Sequence, residues 1–232
     1  MNVFVGTSGY SYKQWKGTFY PEDLPDDGML RFYAGRFPAV EINNTFYRMP
    51  TKTLLAKWAG EVPETFRFVL KASRRITHEK RLNAVGDDLA YFFATAATLE
   101  PKLGPVLFQL PPFSKKDLPR LRAFLDLVPG DRRVALEFRH ASWFDDEVYE
   151  ALRSQGAALC IADTDDGEAP VVATAGWGYL RLRRENYSDA DLAAWAERIR
   201  AQAWDEAYAF FKHEEEGKGA ALAAQLAVRL GG

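Results

Sequence analysis

The chain has 232 residues, 47% of them hydrophobic and 14% aromatic, which is ample for one large core and close to the ~250 residues usual for an eight-fold β/α barrel. A formal net charge of −2 gives no global attraction to nucleic acid or anionic lipid, and no apolar run is long enough to cross a bilayer. Cys160 is the lone cysteine, which excludes an intrachain disulfide.

From Met1 the chain passes directly into Asn2-Val3-Phe4-Val5, with no basic, apolar leader, so one domain over residues 1–232 in the cytoplasm is expected. Eight β-rich runs follow in order: Val3–Thr7, Ala39–Asn43, Arg67–Ala72, Pro105–Leu110, Arg133–Phe138, Ala157–Asp163, Gly178–Arg183 and Ala207–Lys212. Apolar residues at helical spacing separate them, as in Leu89, Phe92, Phe93, Ala96 and Leu99, or in Leu118, Leu121, Leu125 and Val128 before the Pro129-Gly130 stop. Between residues 164 and 176 that spacing is lost and Gly167 and Pro170 intervene, so the sixth helix is short or absent. Leu222, Leu226 and Leu230 mark a last helix. An open doubly wound sheet would show the same alternation, but Gly6-Thr7-Ser8-Gly9-Tyr10 after the first run lacks the third glycine of a dinucleotide site. The expectation is a closed TIM-like (β/α)₈ barrel, with no cofactor.

Side chains alternate along a strand, so apolar residues facing the helices fix which of their neighbours face inward. Val40 and Ile42 send Glu41 and Asn43 inward; Leu136 and Phe138 send Glu137 and Arg139; Leu180 and Leu182 send Arg181 and Arg183. Lys71, Gln109, Asp163 and Lys212, each ending its strand, are expected in the same chamber. Buried charges must pair, meet water or bind something. One reading is therefore a ring of ion pairs, with Glu41 and Glu137 set against Lys71, Arg139 and Arg181. The other is a ligand site at the carboxyl-end mouth, where barrels of this kind hold their active sites. Tyr10, Tyr12, Trp15, Phe46, Tyr47 and Trp143 fall in the loops above, where they either cap the core or stack on a ligand.

Four blocks carry a family resemblance. They are Glu41-Ile42-Asn43-Asn44-Thr45-Phe46-Tyr47-Arg48, Lys71-Ala72-Ser73-Arg74-Arg75-Ile76-Thr77-His78, the run from Leu103 to Pro112, and Ala135-Leu136-Glu137-Phe138-Arg139-His140-Ala141-Ser142-Trp143. With Gly6-Thr7-Ser8-Gly9-Tyr10 and Trp15-Lys16-Gly17, they resemble the signature blocks of the YecE-like family, domain of unknown function number seventy-two, over almost the whole chain. The resemblance implies a TIM-barrel-like fold and a polar pocket at the strand ends, and no established reaction. The chain departs from the family pattern at Arg183-Arg184, in place of a His-Gly pair, and at Lys212-His213-Glu214, in place of paired asparagines. Both changes make the mouth more charged.

The chemistry expected is acid–base work on a small anionic metabolite, phosphorylated or carboxylated. Glu41, Lys71 and Glu137 are the catalytic candidates; Asn43, Tyr47, Gln109, Arg139, Asp163, Arg181 and Lys212 are the substrate-binding ones. Lys71 suits a base or a Schiff-base amine if its pKa is lowered. Gly217-Lys218-Gly219, before the last helix, is either a phosphate loop or an ordinary helix start. A divalent-metal hydrolase or isomerase using Glu41, Glu137, Asp163 and His213 is the first alternative, although no tight ligand spacing supports it and no metal is expected. A non-enzymatic ligand or nucleic-acid barrel is the second, through Arg74-Arg75, Arg132-Arg133 and Arg183-Arg184. The scatter of those pairs disfavours nucleic acid. Gly-Thr-Ser-Gly is a poor nucleophile elbow. His78 and His140 read as structural groups, and Cys160 as buried and inert.

Overall fold

The computed structural model describes residues 1–231. The eight expected runs become strands β1 (Asn2–Ser8), β2 (Ala39–Ile42), β3 (Arg67–Lys71), β4 (Leu103–Gln109), β5 (Val134–Glu137), β6 (Ala158–Thr164), β8 (Trp177–Leu182) and β9 (Glu206–Phe211). Each pairs in parallel with the next, β5 with β6 and β6 with β8, and β9 returns to β1, which closes the barrel. A two-residue strand, β7 (Gly167–Glu168), folds back antiparallel onto the end of β6.

Among the described residues seven α-helices surround the sheet: α1 (Met29–Ala34), α2 (Lys52–Glu61), α3 (Gly86–Ala96), α4 (Leu118–Leu125), α5 (Asp146–Ser154), α6 (Asp189–Arg200) and α7 (Lys218–Leu230). Among the described residues no helix lies between β6 and β8, where the helical spacing had faded. Starts are capped as the local sequence dictates. Asp117, Asp145 and Ser188 accept the backbone N–H three residues on, and Ser188 and Asp191 form a reciprocal capping box. Among the described residues no helix is long and apolar enough to cross a membrane.

The alternation of each strand divides the core in two. Val40, Phe68, Leu70, Val106, Phe108, Leu136, Leu180 and Phe211 pack outward against the helices. Phe4, Val69, Leu107, Ala135, Cys160, Tyr179, Tyr208 and Phe210 plug the interior. Phe4 and Tyr208 stack with centroids 4.8 Å apart. Cys160 is buried in this plug, and burial pushes its thiol pKa well up. Gly6 is needed on β1, because a Cβ there would lie 2.1 Å from the Ala39 carbonyl oxygen. That close approach lets the Tyr33 hydroxyl accept from Thr7 N at 2.8 Å and donate to Ala39 O at 3.0 Å.

Candidate functional site

The floor of the mouth is an ion triad. Arg181, on β8, reaches across the barrel to donate from Nη2 to Glu41 Oε1 at 2.8 Å and from Nη1 to Glu137 Oε2 at 2.7 Å. Both carboxylates are fully buried, and Arg181 is 1% exposed. Glu41 accepts three more bonds: from Ser8 Oγ at 2.6 Å, the Tyr179 hydroxyl at 2.6 Å and Asn43 Nδ2 at 3.2 Å. Burial would raise the pKa of each acid, but the guanidinium charge outweighs it. Glu41 is held below its ordinary value by Arg181, Ser8 and Tyr179, and Glu137 is held at about 2 by Arg181, Arg139 and Arg183.

The rim is different. Arg139 Nε donates to Glu137 Oε1 at 3.0 Å, and Arg183 Nη1 lies 3.9 Å from the same oxygen. The Nε atoms of Arg181 and Arg183 are buried and have no hydrogen-bond partner among the described residues. Lys71 Nζ donates to Gln109 Oε1 at 2.7 Å and sits 4.3 Å from the centroid of the Phe46 ring. It forms no ion pair among the described residues. Burial, and then the charge of Arg181, bring its pKa down to about 8. Lys212 is exposed at the edge, its pKa lowered by partial burial and by Arg183. Two cavities flank these cations. One of ≈ 370 Å³ includes Glu137, Arg139, Ala162, Asp166 and Glu168 in its lining; one of ≈ 410 Å³ includes Arg183, Arg184, Lys212, His213, Glu214 and Glu215.

The structure brings Glu41, Asn43, Lys71, Gln109, Glu137, Arg139, Arg181 and Lys212 to one end of the barrel, with Tyr47 on the outer rim and 74% exposed. Asp163 requires correction. Its side chain leaves the chamber for the helix layer, accepting from Trp195 Nε1 of α6 at 3.1 Å and from Arg184 Nε at 3.0 Å. Leu159 and Ile161 on the same strand pack outward, and Asp163 shares their parity; Ala162 is the residue that faces in. Ser8 and Tyr179 are partners of Glu41 that the sequence reading missed. Tyr179 was accessible to it, lying two residues before Arg181 on the same face.

Other candidates take structural places. Trp15 and Trp143 are buried, their indole N–H groups donating to Glu214 O at 2.9 Å and Ser114 O at 2.7 Å. His140 Nδ1 caps Ser142 N at 3.2 Å. His213 Nε2 lies 2.6 Å from Arg184 O. His78 stays near the rim, edge-on to Phe46 at 4.8 Å, its pKa lowered by burial and by Lys71. The loop carrying it holds Arg81, Leu82 and Ala84 at positive φ, a cluster of the strain often found beside binding sites. Lys218 ties its ammonium to Asn186 Oδ1 at 2.8 Å, and Gly219 packs against His213. No group of three or more metal-ligating side chains occurs among the described residues, so Glu41, Glu137, Asp163 and His213 do not assemble as a metal site.

Comparison with known proteins places this geometry in a family. The chain is 31% identical over 189 residues to UPF0759 protein YunF of Bacillus subtilis, a match covering 75% of this chain and 66% of that one. It is 29% identical over 168 residues to UPF0759 protein YecE of Escherichia coli, covering 70% and 59% respectively. The matched region thus spans roughly three fifths to two thirds of these curated relatives. A crystal structure of a DUF72 family protein from Thermotoga maritima superposes with a TM-score of 0.87 at 28% identity, over 100% of both chains. One from Enterococcus faecalis, at 21% identity and TM-score 0.84 over 99% and 95%, shares the fold. The family model described as "Protein of unknown function DUF72" matches residues 4–232, and the chain belongs to that family.

Proposed function

We propose that the carboxyl-end mouth binds a small anionic metabolite, phosphorylated or carboxylated, and acts on it by proton transfer through Lys71. The observation that carries this reading is the imbalance of charge. Inside the chamber, Lys71, Arg139, Arg181 and Arg183 face two carboxylates, Glu41 and Glu137, because Asp163 is spent on Arg184 and Trp195; the further acids, Asp166, Glu168, Glu214 and Glu215 among them, line the outer cavities. Excess positive charge in a partly dehydrated cleft is relieved by an anion. Arg139 uses only Nε on Glu137, and Arg183 Nε is unpartnered, so both have guanidinium donors for phosphate or carboxylate oxygens. Gln109 accepts from Lys71 through Oε1, which leaves its amide N–H₂ to orient a ligand.

Glu41 and Glu137 serve this reading as counter-ions. A carboxylate that already accepts four hydrogen bonds, or is held at about 2, is a weak base at neutral pH. Lys71, at about 8, is matched to proton transfer near neutrality. The metal alternative loses its donor set. The nucleic-acid alternative gains no support from the basic pairs, since Arg75 meets Asp88, Arg132 meets Glu100 and Arg133 meets Glu206.

The test is a thermal-shift titration with inorganic phosphate, sulfate, sugar phosphates and small carboxylic acids. A saturable rise in Tm is expected, abolished in Arg139→Ala and Arg183→Ala. If none of these anions shifts the wild-type protein, the reading fails.

A further inference from the structure

We propose that Lys71 is a covalent catalyst, and that the metabolite at this mouth is an anion bearing a reactive carbonyl, an oxo acid or a phosphorylated aldehyde or ketone, which Lys71 captures as a Schiff base. This rests on the anion-binding reading above and narrows it to a substrate class.

The surroundings of the ammonium group are the argument. Apart from Lys212 at the exposed edge, the other lysines withdrawn from solvent are each tied to a carboxylate or to two oxygen acceptors. Lys16 pairs with Asp26, Lys80 with Asp88, Lys116 with Asp145 and Glu147, and Lys102 with Glu64 and two backbone carbonyls. Lys218 is tied to a carbonyl and to Asn186. Lys71 has one neutral acceptor, Gln109, and an aromatic face. Those two contacts aim the nitrogen without an ion pair that would have to be broken to free its lone pair. Glu137 and Glu41 exert some attraction from the floor, but both are spent on Arg181, and Arg181 and Arg183 repel a proton on Lys71. Desolvation beside other cations is the general way in which a protein makes an amine nucleophilic. At pH 7 about a tenth of such an amine is free base, against roughly one in three thousand for an ordinary lysine.

The same cations supply the second half of the site. Arg139 and Arg183 converge on one oxygen of Glu137 and have donors to spare for an anion beside it. A carboxylate held there brings its neighbouring carbonyl carbon toward Lys71. The Nζ lone pair then forms the C–N bond while the carbonyl π pair moves to oxygen and takes a proton. Loss of that hydroxyl with a proton from nitrogen releases water and leaves the C=N iminium. No oxidant or reductant is consumed, and hydrolysis reverses the step. His78, its pKa lowered by burial and by Lys71, packs on the same Phe46 ring as Lys71 and is the side chain assigned to relay protons between solvent and the carbinolamine. The bound anion and Glu137 offset the positive charge of the iminium.

The test uses pyruvate, glyoxylate and glyceraldehyde 3-phosphate as probes, with sodium borohydride to reduce and trap any imine. Intact-mass and peptide mapping should find one reduced adduct per chain, on Lys71, saturating with probe and suppressed by inorganic phosphate. Lys71→Arg, checked for an unchanged melting curve, should give none. On the wild-type protein, limiting acylating reagent at pH 7.5 should label Lys71 well ahead of the mean lysine, which requires no variant to fold. Adducts spread over surface lysines in proportion to probe, or no adduct from any probe, would overturn the Schiff-base assignment. If phosphate still raised Tm in that case, the anion site would survive it; if phosphate also failed, the anion reading itself would fall.

Discussion

At the floor of the mouth, Glu41 accepts hydrogen bonds from Ser8, Asn43, Tyr179 and Arg181; at its rim, Lys71 makes one bond and Arg183 Nε makes none among the described residues. The two regions are built from the same kinds of residue. They differ in whether charge is cancelled. On the floor two carboxylates share one guanidinium in a fully buried triad, which holds strands β2, β5 and β8 to a common centre. Such a network makes a structure specific more than it makes it reactive, because both carboxylates and both terminal nitrogens of Arg181 are committed, with Nε alone left over. At the rim Lys71 makes no ion pair, and Arg139 and Arg183 keep guanidinium donors unspent. Chemistry is expected there, and the floor is its support.

Mutating the floor should expose that division most sharply. Arg181→Ala strands two buried carboxylates at once, and breaking a buried pair typically costs about 3–5 kcal/mol. The expected loss is at the top of that range or beyond, a fall in Tm of roughly 10–20 °C for a chain of this size. Glu137→Ala removes one partner and leaves Arg181 half-paired, so about 3 kcal/mol is expected in urea denaturation. An unchanged midpoint would mean that this glutamate is solvated.

Acid should act on the floor before the rim. Glu137 sits at about 2 in the folded chain against 4.5 ordinarily, and Glu41 is displaced in the same direction. Between those values the unfolded chain binds more protons than the folded one, so stability falls as pH falls. Glu137 contributes fully above about pH 4.5, and its contribution is lost by about pH 2. Denaturation midpoints measured from pH 6 to 2 should show this decline, and Glu137→Gln should flatten it. Lys71 has the same sign in a higher window: its pKa is lowered on folding, so stability should climb as pH rises from about 8 towards 10.5, as the penalty of burying its charge is relieved. Lys71→Met should remove that climb.

At the rim, single substitutions should change ligand response and leave the fold alone. Lys212→Ala is expected to alter stability by less than about 0.5 kcal/mol, as exposed positions generally do. Its phosphate titration should shift to higher concentration without losing the response. A large destabilisation would show that the rim is structural after all.

Much of this architecture follows from local pattern. Period-two alternation in Val40-Glu41-Ile42, Leu136-Glu137-Phe138 and Leu180-Arg181-Leu182 is enough to turn three charges inward, since exposing the apolar neighbours instead would forfeit their burial. The missing helix between β6 and β8 is likewise written in the loss of helical spacing around Gly167 and Pro170. The outward turn of Asp163 is legible in the same way, since Leu159 and Ile161 fix its parity and that parity outweighs its position at a strand end. Which charges would cancel was not accessible. Arg181 meets Glu41 and Glu137 from 140 and 44 residues away, and Ser8 and Tyr179 arrive at Glu41 from strands on either side of the closure. Strand direction and side-chain parity depend on neighbours along the chain. Ion pairing depends on distances across a closed barrel, set by register and closure together, so only the folded molecule separates the saturated glutamates from the unpaired lysine.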